Sequence, residues 1–163
     1  MVFLLAYFLI WRNLNNMIVK INSCNELAFF AKNFLEKLIP YKKGATVVAL
    51  IGGFGVGKTT FTQCIARELS VTEVVTSPTF VIMKKYTLVH KIFSHLIHID
   101  AYRLDSDINL DLFSFDSVMS DTRNIVLIEW PKNIQKYLPH THTIVTFHLL
   151  SENKREIEVQ KIE

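Results

Sequence analysis

Glycine is scarce in this chain, with five in 163 residues where ordinary usage is about 7%. None follows Gly57, so the D-x-x-G turn of a small GTPase is missing. Cysteine is scarcer still. Cys24 and Cys64 form no C-x-x-C pair and no framework, which points to reduced thiols in a cytosolic protein. No run of Lys or Arg exceeds two and the net charge is only +3, which is not the footprint of a dedicated nucleic-acid binder. The arginines stand singly, unlike the arginine-rich lid of a small-molecule kinase. The six histidines form no cluster with metal-ligand spacing.

Half of the chain is hydrophobic and a fifth is charged, which describes one globular domain long enough for a real core. The apolar stretch "MVFLLAYFLIW" at the N-terminus is too short to cross a bilayer. It also has neither the basic start nor the cleavage site of a signal peptide. Residues 1–16 read as an upstream extension or a misassigned start, with a membrane-surface anchor as the alternative; no stable membrane insertion is expected. Met17 opens "MIVKINSCNEL", a normal beginning for a domain over 17–163.

Ser23 and Glu26 fit a capping box, and Leu27, Phe30, Ala31, Phe34, Leu35 and Leu38 recur at helical spacing. Pro40 and Gly44 end that helix. "ATVVALI" reads as a strand buried on both faces, and "TTFTQCIARELS" as a helix. "FVIMKKYTL" and "HLIHIDAYRL" read as strands with a hairpin-like link, "INLDLFSFDSVM" as a helix, and "NIVLIEW" as a second buried strand closed by Pro131. "TIVTFHLL" and "REIEVQKI" make a terminal pair. The order is α/β with some antiparallel pairing.

Four of the five glycines crowd into "ALIGGFGVGKTTF", Ala49 to Phe61. Gly52, Gly57, Lys58 and Thr59 satisfy G-x-x-x-x-G-K-[ST], the phosphate-binding P-loop. Backbone N–H groups can wrap a phosphate chain only where side chains do not block them. The helix that follows offers its N-terminal dipole to the anion. Lys58 would reach the β- and γ-phosphates, and the Thr59 hydroxyl would ligate Mg²⁺. A buried strand before and a helix after supply the required context.

Such a site needs a further acidic residue at the end of a neighbouring strand. "IVLIEW" supplies Glu129, and "HIDAYRL" supplies Asp100, on the same face as His98 by period two. A solvent-facing Glu129, and an Asp100 that caps or pairs with Arg103, are the structural alternatives. "VTSPTF", Val75 to Phe80, carries hydroxyls at Thr76, Ser77 and Thr79. Those hydroxyls suit a γ-phosphate sensor and equally a simple turn.

"GGFGVGKTTFT", "VTSPTF", "HIDAYRL", "LIEWP" and "YLP" at Tyr137–Pro139 occur in the order found in the bacterial TsaE family. The chain resembles that family from about Ile21 to Val159. The resemblance implies a compact P-loop NTPase-like fold with a mixed, mainly parallel central sheet. It implies ATP and Mg²⁺ as cofactors and a cytoplasmic ATPase that supports TsaD and TsaB. That complex adds threonylcarbamoyl to adenosine 37 of tRNA (t6A), so tRNA is engaged indirectly. By motif, the resemblance makes Thr59 and Glu129 the magnesium residues and assigns Gly55, Val56, Gly57, Lys58, Thr59 and Thr60 to the phosphate cradle, with Gly52 a nucleotide-binding residue through the P-loop pattern. Lys58, Glu129 and Asp100 would be catalytic, Arg155 a basic residue near the nucleotide, and Asn22 to Cys24 neighbours of the adenine. The family's acidic residue after the first P-loop glycine is replaced by Gly53, which implies slow hydrolysis. Between Asp105 and Asp121, Asn109 and Ser114 stand where the family has Glu and Gly.

Three rivals remain. "NKRE" at Asn153–Glu156 nearly matches the guanine-specifying N-K-x-D of a GTPase. A small-molecule P-loop kinase is the second. The third is an ATP-binding assembly switch with little hydrolysis, for which Gly53 argues.

Overall fold

A computed structural model of the chain describes residues 16–104 and 114–163. Residues 1–15 of the apolar N-terminal stretch lie outside the described residues, as do 105–113 of the segment that departs from the family pattern.

The elements in chain order are β1 (Met17–Ile21), α1 (Cys24–Lys37), β2 (Thr46–Ile51), α2 (Lys58–Glu68), β3 (Met83–Thr87) and β4 (His95–Asp100). Then come α3 (Phe115–Ser120), β5 (Asn124–Glu129), a 3₁₀ segment (Pro131–Tyr137), β6 (His142–Ser151) and β7 (Lys154–Ile162). The strands form one sheet in the order β1-β7-β6-β2-β5-β4-β3. The central run β6-β2-β5-β4 is parallel, and antiparallel strands flank it on both sides. The fold is thus mixed α/β with a parallel centre, as the resemblance implies.

The apolar strands are buried because the sheet is covered on both faces. Period-two alternation divides their residues between two cores. Val48, Leu50, Ile125, Leu127, Leu96 and Val145 pack with α1 and α2, while Val47, Val126, Ile128, Ile97 and Ile99 pack with Phe115 and Ile134. Phe30 and Phe34 of α1 meet Phe61 of α2 with ring centroids 5.7 and 5.5 Å apart, and Phe147 of β6 lies 5.7 Å from Phe61. This aromatic cluster seats α2 over β2, so its first turn projects at the carboxyl ends of the parallel strands.

The capping box forms with a shift. Ser23 Oγ accepts from the Glu26 N–H at 3.2 Å, but Glu26 reaches back one residue further, accepting from Asn22 N at 2.9 Å. The helix expected across "INLDLFSFDSVM" is present only as Phe115–Ser120 within the described residues. The strand expected across "FVIMKKYTL" begins only at Met83. Val81 and Ile82 both donate backbone N–H groups to the Pro78 carbonyl, and Ile82 takes a positive φ of 66°, so that stretch is a tight turn.

Candidate active site

The chain must pass from Ile51 at the end of β2 to Lys58 at the start of α2 within a closed loop. Gly52 has φ +148°, and a Cβ there would lie 2.8 Å from both the Phe147 carbonyl oxygen and Val56 Cγ2. Gly57, the N-cap of α2, has φ +111°. Gly55 has φ +69° and open space where a side chain would go. These three require glycine by backbone conformation. Gly53 does not: its φ is outside the left-handed region, and a Cβ would meet only Val56 Cγ1, at 4.0 Å.

Lys58 is buried, and its ammonium donates to the Gly52 and Gly53 carbonyls at 2.9 and 2.6 Å. It also lies 4.4 Å from the centroid of the Trp130 ring, a cation–π distance. Burial pulls its pKa below the ordinary 10.5, against the upward pull of the Glu129 and Asp100 carboxylates. The next residue, Thr59, donates from Oγ1 to Glu129 Oε1 at 2.7 Å. That carboxylate is not solvent-facing, being 4% exposed, and its Oε1 also lies 2.9 Å from His98 Nε2.

Asp100 and Glu129 are register partners at the ends of adjacent parallel strands, so both carboxylates reach the mouth of the P-loop. Asp100 does not bond Arg103. Its Oδ2 accepts from Ser77 Oγ at 2.8 Å and Thr79 Oγ1 at 2.6 Å, and its Oδ1 accepts from the Tyr102 N–H at 3.0 Å. Arg103 instead lies 4.4 Å from the Phe80 ring centroid. The hydroxyl loop is therefore fastened to the acidic end of β4.

These groups enclose a cavity of about 210 Å³ lined by Lys58, Thr59, Thr60, Asp100, Glu129 and their neighbours. A second cavity, about 340 Å³, adjoins it through Gly55, Gly57 and Thr60. Val56, Arg155 and Asn22 to Cys24 line the second one. The Arg155 guanidinium donates to the Glu152 carbonyl at 2.6 Å, which ties it to the β6–β7 turn. The first cavity is thus the acidic, lysine-bearing half and the second the more apolar one, while Gly52 lines neither and meets the site through its carbonyl's bond to Lys58. Thr59 and Glu129 make a hard oxygen pair at a helix N-terminus, the donor chemistry that magnesium takes. Among the described residues no group of three His, Cys, Asp or Glu side chains could hold a metal alone, so phosphate oxygens and water would complete such a site.

Sequence reasoning missed one component. Phe54, Tyr102 and Trp130 form an aromatic cluster at the rim, with centroids 4.8 to 5.2 Å apart. Each sits inside a quoted motif, so proximity to the chemistry was the available signal. Trp130 is held in a left-handed conformation, φ 58°, between Glu129 and Pro131, which turns its ring back over Lys58.

A family model described as "Threonylcarbamoyl adenosine biosynthesis protein TsaE" matches residues 21–157. The tRNA threonylcarbamoyladenosine biosynthesis protein TsaE of Bacillus subtilis is 32% identical over 120 residues, 72% of this chain and 70% of that protein. The protein of the same name from Aquifex aeolicus is 30% identical over 77% of this chain and 85% of its own. A crystal structure of B. subtilis YdiB superimposes with a TM-score of 0.71 and 26% identity, covering 91% of this chain and 87% of that one. The P-loop, the strand-end carboxylates and the flanking cavities fall within the matched span, and the chain belongs to the TsaE family, with a P-loop NTPase-like fold suited to binding a nucleotide.

Proposed function

We propose that the chain binds and hydrolyses ATP with magnesium in support of a TsaD–TsaB complex that carries out t6A modification of tRNA in the cytoplasm. The observation that carries this reading is the convergence of Lys58, Thr59, Glu129 and Asp100 on one cavity beside a glycine cradle. The relatives' names supply the pathway, and the partners rest on the family resemblance. Residues 17–163 constitute the ATPase domain in this reading.

The triphosphate would lie in the smaller cavity, wrapped by the amides of Gly55 to Thr60, with the nucleoside against Asn22 to Cys24 and Arg155 in the larger one. Lys58 would exchange its two carbonyl acceptors for phosphate oxygens. Magnesium, held by Thr59 and Glu129, would neutralise charge on the phosphates. Glu129 and Asp100 would orient the attacking water, and the Ser77–Thr79 loop would report γ-phosphate occupancy through its bonds to Asp100.

Gly53 supports a second reading, an ATP-dependent assembly switch with little turnover. The separating experiment is ATP hydrolysis by residues 17–163, alone and with TsaD and TsaB of the same source, beside Lys58→Ala and Glu129→Ala. Partner stimulation that both substitutions abolish supports the ATPase. Binding without turnover under every condition supports the switch. Failure to bind ATP removes the basis of both.

A further inference from the structure

His98 is 0% exposed on the face of β4 that meets α2, with buried Leu96 two residues before it and Leu127 as its register partner on β5. Its Nε2 lies 2.9 Å from Glu129 Oε1, while its Nδ1 has no hydrogen-bond partner among the described residues. A buried nitrogen without a partner is costly, and each instance in a native structure calls for a reason. The neighbouring leucines show that an apolar residue suits this layer. The imidazole therefore incurs the cost of an orphaned nitrogen and returns a single polar contact, to the carboxylate beside the P-loop.

We propose that His98 is a positioning residue for Glu129, donating from Nε2–H to Oε1. The proposal rests on the nucleotide reading given above and deepens it. The carboxylate accepts only, so the contact requires a proton on Nε2. Oε1 is then fixed from two directions: by the Thr59 hydroxyl at 2.7 Å and by the imidazole at 2.9 Å. Thr59 alone would leave Glu129 free to rotate whenever its hydroxyl re-orients towards a metal. His98, wedged in the core, holds the carboxylate in place during that exchange. Histidines and carboxylates outside a metal's own ligand set act in this way on many sites, and losing one typically weakens metal affinity about 10- to 100-fold.

The test uses the full chain with His98→Leu, His98→Asn and His98→Gln. Only the glutamine places a donor near the position of Nε2. Calorimetric ATP titrations with and without magnesium give the metal-supported gain in affinity. We expect His98→Leu and His98→Asn to lose about tenfold of that gain, with metal-free ATP affinity within about twofold of wild type, and His98→Gln to recover most of the loss. Should His98→Leu not fold, the glutamine–asparagine comparison decides alone. Nitrogen-15 spectra of the metal-free wild type read the tautomer directly, and the proton should sit on Nε2. An Nε2 without a proton, or a magnesium response in all three variants equal to wild type, overturns the proposal. If the wild type binds no ATP with magnesium, the nucleotide reading fails, and the tautomer spectrum still decides whether His98 holds Glu129.

Discussion

Thr59 and Glu129, 70 positions apart in the chain, meet through a 2.7 Å hydrogen bond. Helix α2 and strand β5 bring them together. Thr59→Val keeps the side chain's shape and removes only the hydroxyl. In the proposed site it should leave magnesium-free nucleotide affinity nearly unchanged and lower magnesium-supported hydrolysis by about two orders of magnitude, the scale of one preorganised transition-state contact. Steady-state rates across a magnesium titration check this. Wild-type rates in the valine variant would remove Thr59 from the metal site.

Lys58 gives a pH dependence of defined sign. Burial lowers its folded pKa below 10.5, so in the interval between the depressed value and 10.5 the unfolded chain binds more protons than the folded one. Stability then rises with pH through that interval. Below it, both states are protonated and the full cost of burying the ammonium is present. Relative to Lys58→Met, the nucleotide-free wild type should therefore gain stability as pH climbs towards 10.5. Urea melts of both proteins at stepped alkaline pH test it. Parallel curves would show that the ammonium is not held at a cost.

The P-loop was legible because its chemistry is local: glycine spacing, lysine and threonine lie within eight residues of chain, from Gly52 to Thr59. Glu129 and Asp100 were legible because each ends an apolar run, and parallel register then sets them side by side. What the sequence hid was non-local or too short. β1 has five residues alternating buried and exposed, and its identity as a strand comes from pairing with β7. The Pro131–Tyr137 turn follows from the left-handed Trp130, a conformation that propensity does not anticipate. The Ser77 and Thr79 bonds to Asp100 depend on where the loop lands, which no spacing rule provides.

Gly52 and Gly53, adjacent in sequence, should respond oppositely to a side chain. Gly52→Ala places a methyl against the Phe147 carbonyl at a strained φ, and should cost about 1–3 kcal/mol. Gly53→Asp meets Val56 Cγ1 at an ordinary contact distance of 4.0 Å, with φ outside the left-handed region, and should change stability by no more than about 0.5 kcal/mol. The same aspartate restores the acidic residue expected at this position in the TsaE family, so hydrolysis should rise. Chemical denaturation with a parallel phosphate-release assay measures both effects. An aspartate variant that melts like Gly52→Ala would contradict the open geometry at Gly53, and one that is stable but no faster would detach the carboxylate from turnover.

The two cysteines offer a footprint of the larger cavity. Cys24 is exposed in the first turn of α1 and lines that cavity, whereas Cys64 is buried on α2. Burial pushes the Cys64 thiol pKa up, which lowers its thiolate fraction as well as its access. A maleimide should therefore label Cys24 quickly and Cys64 only on unfolding. If the nucleoside sits against Asn22 to Cys24, saturating ATP should slow Cys24 labelling by about tenfold or more, and the labelled protein should bind ATP correspondingly weakly. Quenched labelling followed by mass spectrometry assigns the modified residue. Undiminished Cys24 reactivity in saturating ATP would place the nucleoside elsewhere, while leaving the phosphate contacts of Lys58 and Thr59 to be judged by their own variants.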